Sequence, residues 1–237
     1  MEYNPATGHK ELIFLSTKEE VALGAQSHKE LMQHMKLAED PALWAQLNRI
    51  GARLAKVSDR QDYPYKFYLI QGKDLNAFTT PGGNIYIYTA LMKTLQTDDR
   101  IAGVLAHEIG HCAAKHVAKK YQKALGYNLI YNIAMAAVGN GSSKEIVQIG
   151  SGPLMNLIFS AYSRKDEYEA DKLGVKYATL AGYDPHGLLE ALQILLAKEK
   201  GPEAPAILST HPPTKERIAA LKTEVALAKY KYLNPKP

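Results

Sequence analysis

The feature that most constrains this chain is a pair of histidines four residues apart with a glutamate beside the first. His107, Glu108 and His111 lie in "VLAHEIGHCAAKH", residues 104–116. An α-helix turns about 100° per residue, so positions four apart differ by only about 40° and lie one above the other. The two imidazoles therefore share one face of a helix, where both can bind the same metal ion.

The surroundings of this pair favour a metal site over an ordinary polar patch. Ile101, Val104 and Leu105 make the preceding turns apolar, which predicts a largely buried helix. Burying a polar pair without partners is costly. Two structural histidines with satisfied hydrogen bonds are the alternative. The spacing His-Glu-x-x-His is typical of a Zn²⁺ site in which the glutamate polarises a bound water, and it predicts one zinc ion per chain.

A carboxylate from a later helix is the candidate third ligand. The stretch "SRKDEYEADKLG", residues 163–174, places Glu167 and Asp171 four apart on one helix face, with Glu169 on the opposite side. Glu167 is predicted to bind the metal. Asp171 is predicted to accept the N–H of a ligand histidine and so fix its tautomer. A solvated acidic helix is the alternative.

Two neighbours of the motif are predicted to take no part in metal binding. Cys112 projects about 100° away from His111 and is interpreted as a small buried hydrophobic residue. His116 follows five residues after His111, about 140° round a continuous helix, and is expected at the surface.

The pattern of the whole chain predicts an α+β fold. Helical periodicity surrounds a middle part with short β-branched and aromatic runs, such as "YKFYLIQG" and "NIYIYTA". We expect a mostly helical domain with a small antiparallel sheet packed on the helix that carries the histidines. The predicted single domain covers residues 1–237, with N-terminal helices at about 16–57, the sheet at about 65–89, the motif helix at about 97–120, the Glu167 helix at about 163–181 and C-terminal helices at about 185–229.

Composition and charge exclude several classes of protein. The chain is 46% hydrophobic and 22% charged, which indicates a globular fold rather than disorder. The net charge of +5 comes from scattered basic residues, and the densest run, 115–123, is interpreted as a solvated helix end, so no nucleic-acid partner is expected. The longest apolar segment, 125–138, is too short to span a membrane. It is interpreted as a packed helix, with a lid as the alternative.

Taken together, these motifs resemble the M48-type gluzincin zinc metallopeptidases, which include CAAX-prenyl endopeptidases and bacterial periplasmic quality-control peptidases. The resemblance lies in "HEIGH" followed by "EYEAD", in "LNAFTTPGGNIYIYTALM" and in "STHPPTKERI". It extends to the opening "NPATGHKELIFLSTKEEVALGAQSHKEL", which is similar to the start of the mature part in exported bacterial members.

The resemblance implies a role for each matching position. His107, His111 and Glu167 are expected to bind zinc, with Asp171 supporting them, and Glu108 is expected to act as general base and then acid. His211 and Arg217 are expected near the metal, where they stabilise the oxyanion or close over the zinc until substrate arrives. Asn76, Ala77 and Phe78 are expected on an edge strand that pairs with an extended substrate.

The resemblance also implies an activity and a place of action. We expect an endopeptidase that cleaves unfolded or misassembled exported proteins in the bacterial periplasm, with outer-membrane assembly proteins as partners. Exported relatives carry a signal sequence or lipid anchor before the segment that opens this chain, which itself shows no signal peptide. A chaperone-like or scaffold protein with a structural zinc ion is the alternative.

Overall fold

Several helices of the chain begin at side chains that accept hydrogen bonds from the backbone of the first turn. The computed structural model describes residues 1–137, 151–201 and 204–234. In chain order its elements are β1 (Glu2–Asn4), β2 (His9–Glu11), α1 (Thr17–His34), α2 (Pro41–Ala55), β3 (Lys66–Ile70), β4 (Ala77–Thr80), β5 (Asn84–Tyr88), α3 (Thr89–Leu95), α4 (Asp98–Ala113), α5 (His116–Ala137), α6 (Ser151–Ile158), α7 (Arg164–Leu180), α8 (His186–Ala197), α9 (Ile207–Thr210) and α10 (Lys215–Leu233).

The caps explain where two of the important helices start. Ser16 and Ser163 each accept a hydrogen bond from the backbone N–H three residues later, at Glu19 and Asp166. The carboxylates of those residues accept the N–H of the serine in return, which completes a capping box. Asp40 caps α2 through its side chain, which accepts a hydrogen bond from the N–H of Leu43.

The main sheet has three strands in the order β3–β5–β4. β4 pairs antiparallel with β5, with Phe78 opposite Tyr86, whereas β3 pairs parallel with β5, with Phe67 opposite Ile85. The predicted α+β class and small sheet are confirmed, but the sheet is mixed rather than wholly antiparallel. The reason is the path of the chain, which passes from β3 at one edge of the sheet to β4 at the other edge. The tight turn after β4 then places β5 between these two strands, antiparallel to β4 and parallel to β3. Hydrophobic alternation does not reveal this path.

The centre of the molecule is α4. All of its residues from Ile101 to Ala113 are buried, and it packs against α2, α7, α8 and β4. Its apolar side chains share one core cluster with Leu47 and Ile50 of α2 and Ile85 of β5. A helix buried on every side cannot leave its polar side chains to water, so they require partners from the neighbouring elements.

Glycines allow α4 and α7 to approach closely. A Cβ atom at Gly110 would lie 2.9 Å from a backbone carbonyl oxygen of α7, and one at Gly174 would lie 3.0 Å from a backbone nitrogen of α4. Backbone atoms cannot rotate away, so a side chain at either position would push the helices apart. The close contact brings Glu167 and Asp171 of α7 against the histidines of α4.

The helix that carries the histidines ends earlier than the sequence predicts. The predicted helix over 97–120 is wrong, because α4 ends at Ala113 and α5 begins at His116. Between them Lys115 adopts a left-handed conformation with φ of 58°, which a continuous α-helix does not contain. The Lys115 ammonium is buried and lies 2.8 Å from the Glu20 carboxylate of α1. This long-range ion pair stabilises a turn that the local sequence does not announce.

Most side chains of the apolar segment 125–138 lie outside the described part of the structure. The interpretations of this segment as a packed helix or a lid therefore also lie outside the described residues. The backbone of α5 continues as a helix to Ala137. Among the helices that the structure describes, none combines the length and the hydrophobicity needed to cross a membrane.

We expect Gly110→Ala to destabilise the protein, although alanine is the better helix former. The added methyl group would meet the backbone of α7 at 2.9 Å. Overpacking of this kind costs about 1–3 kcal/mol, which exceeds the gain of about 1 kcal/mol in helix propensity. Urea unfolding followed by circular dichroism measures the change in the free energy of unfolding.

Gly126→Ala in α5 is the matched control. Among the described residues no atom lies within 4 Å of a Cβ at this position. The substitution should therefore leave the free energy of unfolding unchanged or raise it by up to about 1 kcal/mol. A Gly110→Ala variant as stable as Gly126→Ala would contradict the tight contact between α4 and α7.

Candidate metal centre

Four side chains from three parts of the chain converge beside α4. His107 and His111 come from α4, Glu167 from the first turn of α7, and His211 from the residue that ends α9. Each offers one ligand atom, and these atoms all lie within 4.8 Å of one another. The Nε2 atoms of His107 and His111 are 3.0 Å apart, as expected for positions four residues apart on one helix face.

Glu167 and His211 complete this ligand group. Oε1 of Glu167 lies 3.3 Å from Nε2 of His111 and 2.9 Å from Nδ1 of His211. The same Nδ1 lies 3.3 Å from Nε2 of His107. All four residues are at most 4% exposed. Two imidazoles and one carboxylate are a donor set of catalytic zinc sites, and His211 stands where a fourth donor can reach the group.

Asp171 contacts the side of His107 that faces away from the ligand group. Its Oδ1 lies 2.9 Å from Nδ1 of His107. A carboxylate at this nitrogen holds the proton there and leaves Nε2 free to bind a metal. Burial would raise the pKa of Asp171, but hydrogen bonds from Arg217 outweigh this effect, and the pKa lies below its usual range. Asp171 is therefore a carboxylate in its ionised form.

Arg217 joins three elements at the site. Its Nε and Nη2 donate to the two oxygens of Asp171 at 2.6 and 2.8 Å, and its Nη1 pairs with Glu167. Nη1 also donates to the backbone oxygen of His211 at 3.2 Å. The guanidinium thus links α10 to α7 and to the segment that carries His211. A two-pronged pair of this kind fixes geometry as well as charge.

Glu108 is completely buried beside the ligand group. Its Oε1 lies 3.5 Å from Nε2 of His211. Within the described part of the chain, neither oxygen of Glu108 accepts a hydrogen bond. Burial raises the pKa of this carboxyl, although charges on His211 and His107 oppose the shift. A buried carboxylate without a donor is costly, so its position indicates a partner, such as a water, that the described residues do not supply.

The charges of this region fit a divalent cation. Glu108, Glu167 and Asp171 bring three carboxyl groups into one buried volume, and Arg217 pairs with Glu167 and Asp171. A divalent cation bound beside them would offset the negative charge that remains. Burial would lower the pKa of His107, but its hydrogen bond to Asp171 and the charge of Glu167 raise it overall. Positive charge is thus favoured where a metal ion would lie.

His116 is not the surface residue that the sequence predicts. It is only 2% exposed, and its Nδ1 lies 2.8 Å from Nδ1 of His111. Its Nε2 lies 3.0 Å from Oε2 of Glu169, which points away from the ligand group as expected. The expected angle of about 140° assumes one continuous helix. The turn at Lys115 breaks that helix and folds His116 back onto His111.

Tyr162 is a site residue that the sequence does not reveal. Its ring stacks on that of His111, with centroids 3.9 Å apart. Its backbone N–H donates to the carbonyl of Thr210 at 3.0 Å, which joins the segment before α7 to the segment that carries His211. Tyr162 lies in a link between helices, where periodicity assigns no face, so only the fold shows this contact.

Cys112 lies outside the ligand group. The residue is buried, and its Sγ lies 2.6 Å from Oγ1 of Thr79 in β4. Burial raises the pKa of the thiol to about 12. Cys112 therefore packs between α4 and the sheet as a small buried residue, in agreement with the sequence interpretation.

The expected substrate strand lies at an edge of the sheet. Ala77 and Phe78 belong to β4, and Asn76 directly precedes it. The N–H of Tyr88 donates to the carbonyl of Asn76 at 3.1 Å, so the backbone of Asn76 faces β5. Along an antiparallel pair, successive residues direct their backbone N–H and C=O groups alternately toward the partner strand and away from it. Those of Phe78 therefore point toward β5, and those of Ala77 point away from it. The three side chains are buried.

A family model supplies the comparison that decides where the chain belongs. The model described as Peptidase family M48 matches residues 41–225, which include every member of the ligand group. The chain belongs to peptidase family M48. The predicted resemblance to M48 metallopeptidases is thereby confirmed, and the buried His107, His111, Glu167 and His211 are a group that can hold the metal on which such peptidases depend.

Individual relatives carry names that agree with this assignment. Beta-barrel assembly-enhancing protease of Escherichia coli (strain K12) is 29% identical over 217 residues, or 86% of this chain and 43% of the relative. Metalloprotease LoiP of the same organism is 30% identical over 90% of this chain and 82% of the relative. Mitochondrial metalloendopeptidase OMA1 of Schizosaccharomyces pombe is 26% identical over 94% of this chain and 66% of the relative. The chain thus spans less than half the length of the first of these relatives.

We expect Asp171→Asn to weaken zinc binding about 10–100-fold, the usual effect of removing the partner of a ligand histidine. Asparagine keeps the size of the side chain but loses the charge that pairs with Arg217 and holds the proton on His107. Competition with a chromophoric chelator measures the zinc dissociation constant, and circular dichroism checks that the variant is folded.

Asp59→Asn is the control for this experiment. Asp59 also contacts α7, through Lys176 at 2.7 Å, but it lies outside the ligand group. Its substitution should leave the zinc dissociation constant unchanged. An Asp171→Asn variant that binds zinc as tightly as Asp59→Asn would show that Asp171 does not support the metal ligands.

Proposed function

We propose that this chain is a zinc-dependent endopeptidase that hydrolyses peptide bonds in unfolded or misassembled exported proteins. The observation that carries the proposal is the position of Glu108. Its carboxylate is fully buried beside two histidines and a glutamate, and it accepts no hydrogen bond from the described residues. A zinc ion with a purely structural role has no use for a free carboxylate at this point.

His107, His111 and Glu167 are the residues that would hold the ion. Burial lowers the pKa of His111 well below its usual value, so this imidazole is neutral and ready to act as a ligand. Zinc would supply Lewis-acid chemistry, polarising the scissile carbonyl and lowering the pKa of water at the site toward about 7. Glu108 would accept the proton of the attacking water and pass it to the leaving amine.

His211 is proposed to act at two stages. Its Nδ1 lies among the ligand atoms, 2.9 Å from Oε1 of Glu167, so in the resting protein it is placed to serve as a fourth ligand. After substrate displaces it, the same imidazole would donate a hydrogen bond to the oxyanion. Arg217 would hold the segment of His211 through its backbone carbonyl and keep Asp171 ionised.

Entry of a substrate requires the site to open. The ligand group and Glu108 are at most 4% exposed, and the adjoining cavity of about 30 Å³ is lined mostly by apolar residues of α4, α8 and α9. A peptide does not fit into this volume. We therefore propose that the closed arrangement is a latent state, which opens when an extended polypeptide pairs with the edge of the sheet.

The backbone of β4 is the proposed docking edge. Its Ala77 directs its N–H and C=O away from β5, and Asn76 and Phe78 flank it. A strand added at this edge would gain main-chain hydrogen bonds without depending on particular side chains. Such recognition suits unfolded chains of varied sequence.

The place of action is inferred from the relatives. Relatives in bacteria include one named beta-barrel assembly-enhancing protease, and mitochondrial relatives are named metalloendopeptidases. We propose that the native protein works in the bacterial periplasm, peripherally attached or lipid-anchored to a membrane through an N-terminal segment, beside the machinery of outer-membrane assembly.

A chaperone-like or scaffold protein is the second candidate function. Four protein donors around one ion are the pattern of a structural zinc site, and His107, His111, Glu167 and His211 offer four. Such a protein would bind extended chains along β4 without cutting them. Glu108 discriminates the two functions, because binding alone does not require it.

We expect Glu108→Gln to lower the turnover of casein by about 10²–10⁴-fold, the usual contribution of a general acid–base residue. Zinc content measured by atomic absorption should stay at one ion per chain, because Glu108 is not a predicted ligand. Full turnover by zinc-loaded Glu108→Gln would exclude this residue as the base. Wild-type protein that binds zinc and casein without cutting it would favour the chaperone-like function.

We expect His211→Ala to separate the two proposed roles of this histidine. Loss of the fourth donor should increase the rate at which a chelator removes zinc. Loss of the oxyanion donor should lower kcat by about 10²–10³-fold. Chelator kinetics and casein turnover measure the two effects independently. Wild-type values in both assays would exclude His211 from the site chemistry, and His186→Ala, an exposed histidine, is the control.

A further inference from the structure

The two ligand histidines of α4 have different partners on their outer nitrogens. Nδ1 of His107 faces the carboxylate of Asp171 at 2.9 Å. Nδ1 of His111 instead lies 2.8 Å from Nδ1 of His116. On its other side, Nε2 of His116 lies 3.0 Å from Oε2 of Glu169. His116 thus stands between a ligand histidine and a carboxylate.

The positions of the hydrogens in this row follow from the direction of His111. Nε2 of His111 points at the ligand group, 3.3 Å from Glu167, so this nitrogen must be free of hydrogen to bind a metal. The proton of His111 then lies on Nδ1, which donates to Nδ1 of His116. His116 must carry its own proton on Nε2, which donates to Glu169. Every nitrogen of the row then has a partner of the right kind.

We infer that His116, with Glu169 behind it, is the positioning residue that fixes the tautomer and ring orientation of His111. This inference rests on the proposed zinc site and adds to it a residue that contacts neither metal nor substrate. The role is the one that Asp171 plays for His107, performed by a histidine and a carboxylate in series. The two ligand histidines are therefore oriented by separate groups.

The surrounding fold keeps His116 in this place. The left-handed turn at Lys115, stabilised by the buried ion pair to Glu20, directs His116 back toward α4. Glu169 reaches it from α7, on the opposite side of that helix from Glu167. The ring of Tyr162 stacks on that of His111, with centroids 3.9 Å apart. His111 is therefore contacted on its face by Tyr162 and at its Nδ1 edge by His116.

His116 lies on the wrong side of the His111 ring to serve as a metal ligand itself. Its Nδ1 contacts the outer nitrogen of His111, on the side away from the converging Nε2 atoms. Nor does it belong to the group of side chains whose ligand atoms converge among the described residues. An orienting role is what remains for a buried histidine held between these two neighbours.

The direct test is the protonation pattern of the ring nitrogens in the zinc-loaded wild-type protein. Long-range ¹H–¹⁵N correlation spectra of ¹⁵N-histidine-labelled protein distinguish a proton on Nδ1 from one on Nε2. We expect His111 to carry its proton on Nδ1 and His116 to carry one proton, on Nε2. A proton on Nδ1 of His116 would overturn the inference, because that nitrogen could not then accept from His111.

Variants test the same inference through zinc affinity. His116→Phe keeps an aromatic ring but removes the acceptor, and we expect the zinc dissociation constant to rise about 10–100-fold. In His116→Asn, Oδ1 occupies the position of Nδ1 and can accept from His111, so we expect affinity close to that of the wild type. A residue that merely fills space would show the opposite order. His186→Phe at an exposed position is the control.

The outcomes separate this inference from the proposed function. Wild-type protein that binds no zinc would overturn both. Tight zinc binding by wild type and His116→Phe alike would overturn the orienting role of His116 and leave the zinc site standing. Weak binding by His116→Phe, recovery in His116→Asn and the expected ring protonation together would support it. The NMR measurement uses the wild type and so does not depend on how the variants fold.

Discussion

The structure depends on ionised and ionisable side chains that are buried against one another between α4, α7 and α10. Burial of most of them is tolerated because they face partners: Arg217 pairs with Asp171 and Glu167, and Asp171 holds His107. The pairing requires helices whose backbones nearly touch, which the glycines of α4 and α7 permit. A divalent cation would offset the negative charge that remains on this group of carboxylates. Packing and charge thus lead to the same metal centre.

Much of this centre could be predicted from residue spacing alone. The intervals of four residues between His107 and His111 and between Glu167 and Asp171 place each pair on one helix face, and helix geometry does not depend on the rest of the fold. His211 required the resemblance to M48 peptidases, because a histidine before two prolines has no periodicity to interpret.

The features that sequence reasoning missed all arise from long-range contacts. His116 turns inward because the ion pair between Lys115 and Glu20 stabilises a left-handed residue where no glycine or asparagine marks a turn. The parallel pairing of β3 follows from the path of the chain across the sheet, which alternation of side chains does not encode. Tyr162 reaches His111 only because separate segments meet there.

We propose that the closed site, the orienting groups and the edge strand belong to a peptidase domain in a latent state. In this state His107, His111 and Glu167 bind zinc while Glu108 stays free. Crystallography of the zinc-loaded protein, with anomalous scattering at the zinc edge, tests it most directly. We predict one zinc ion per chain, bound by Nε2 of both histidines and by Glu167, with Glu108 uncoordinated. Zinc at another place, or coordinated by Glu108, would contradict it.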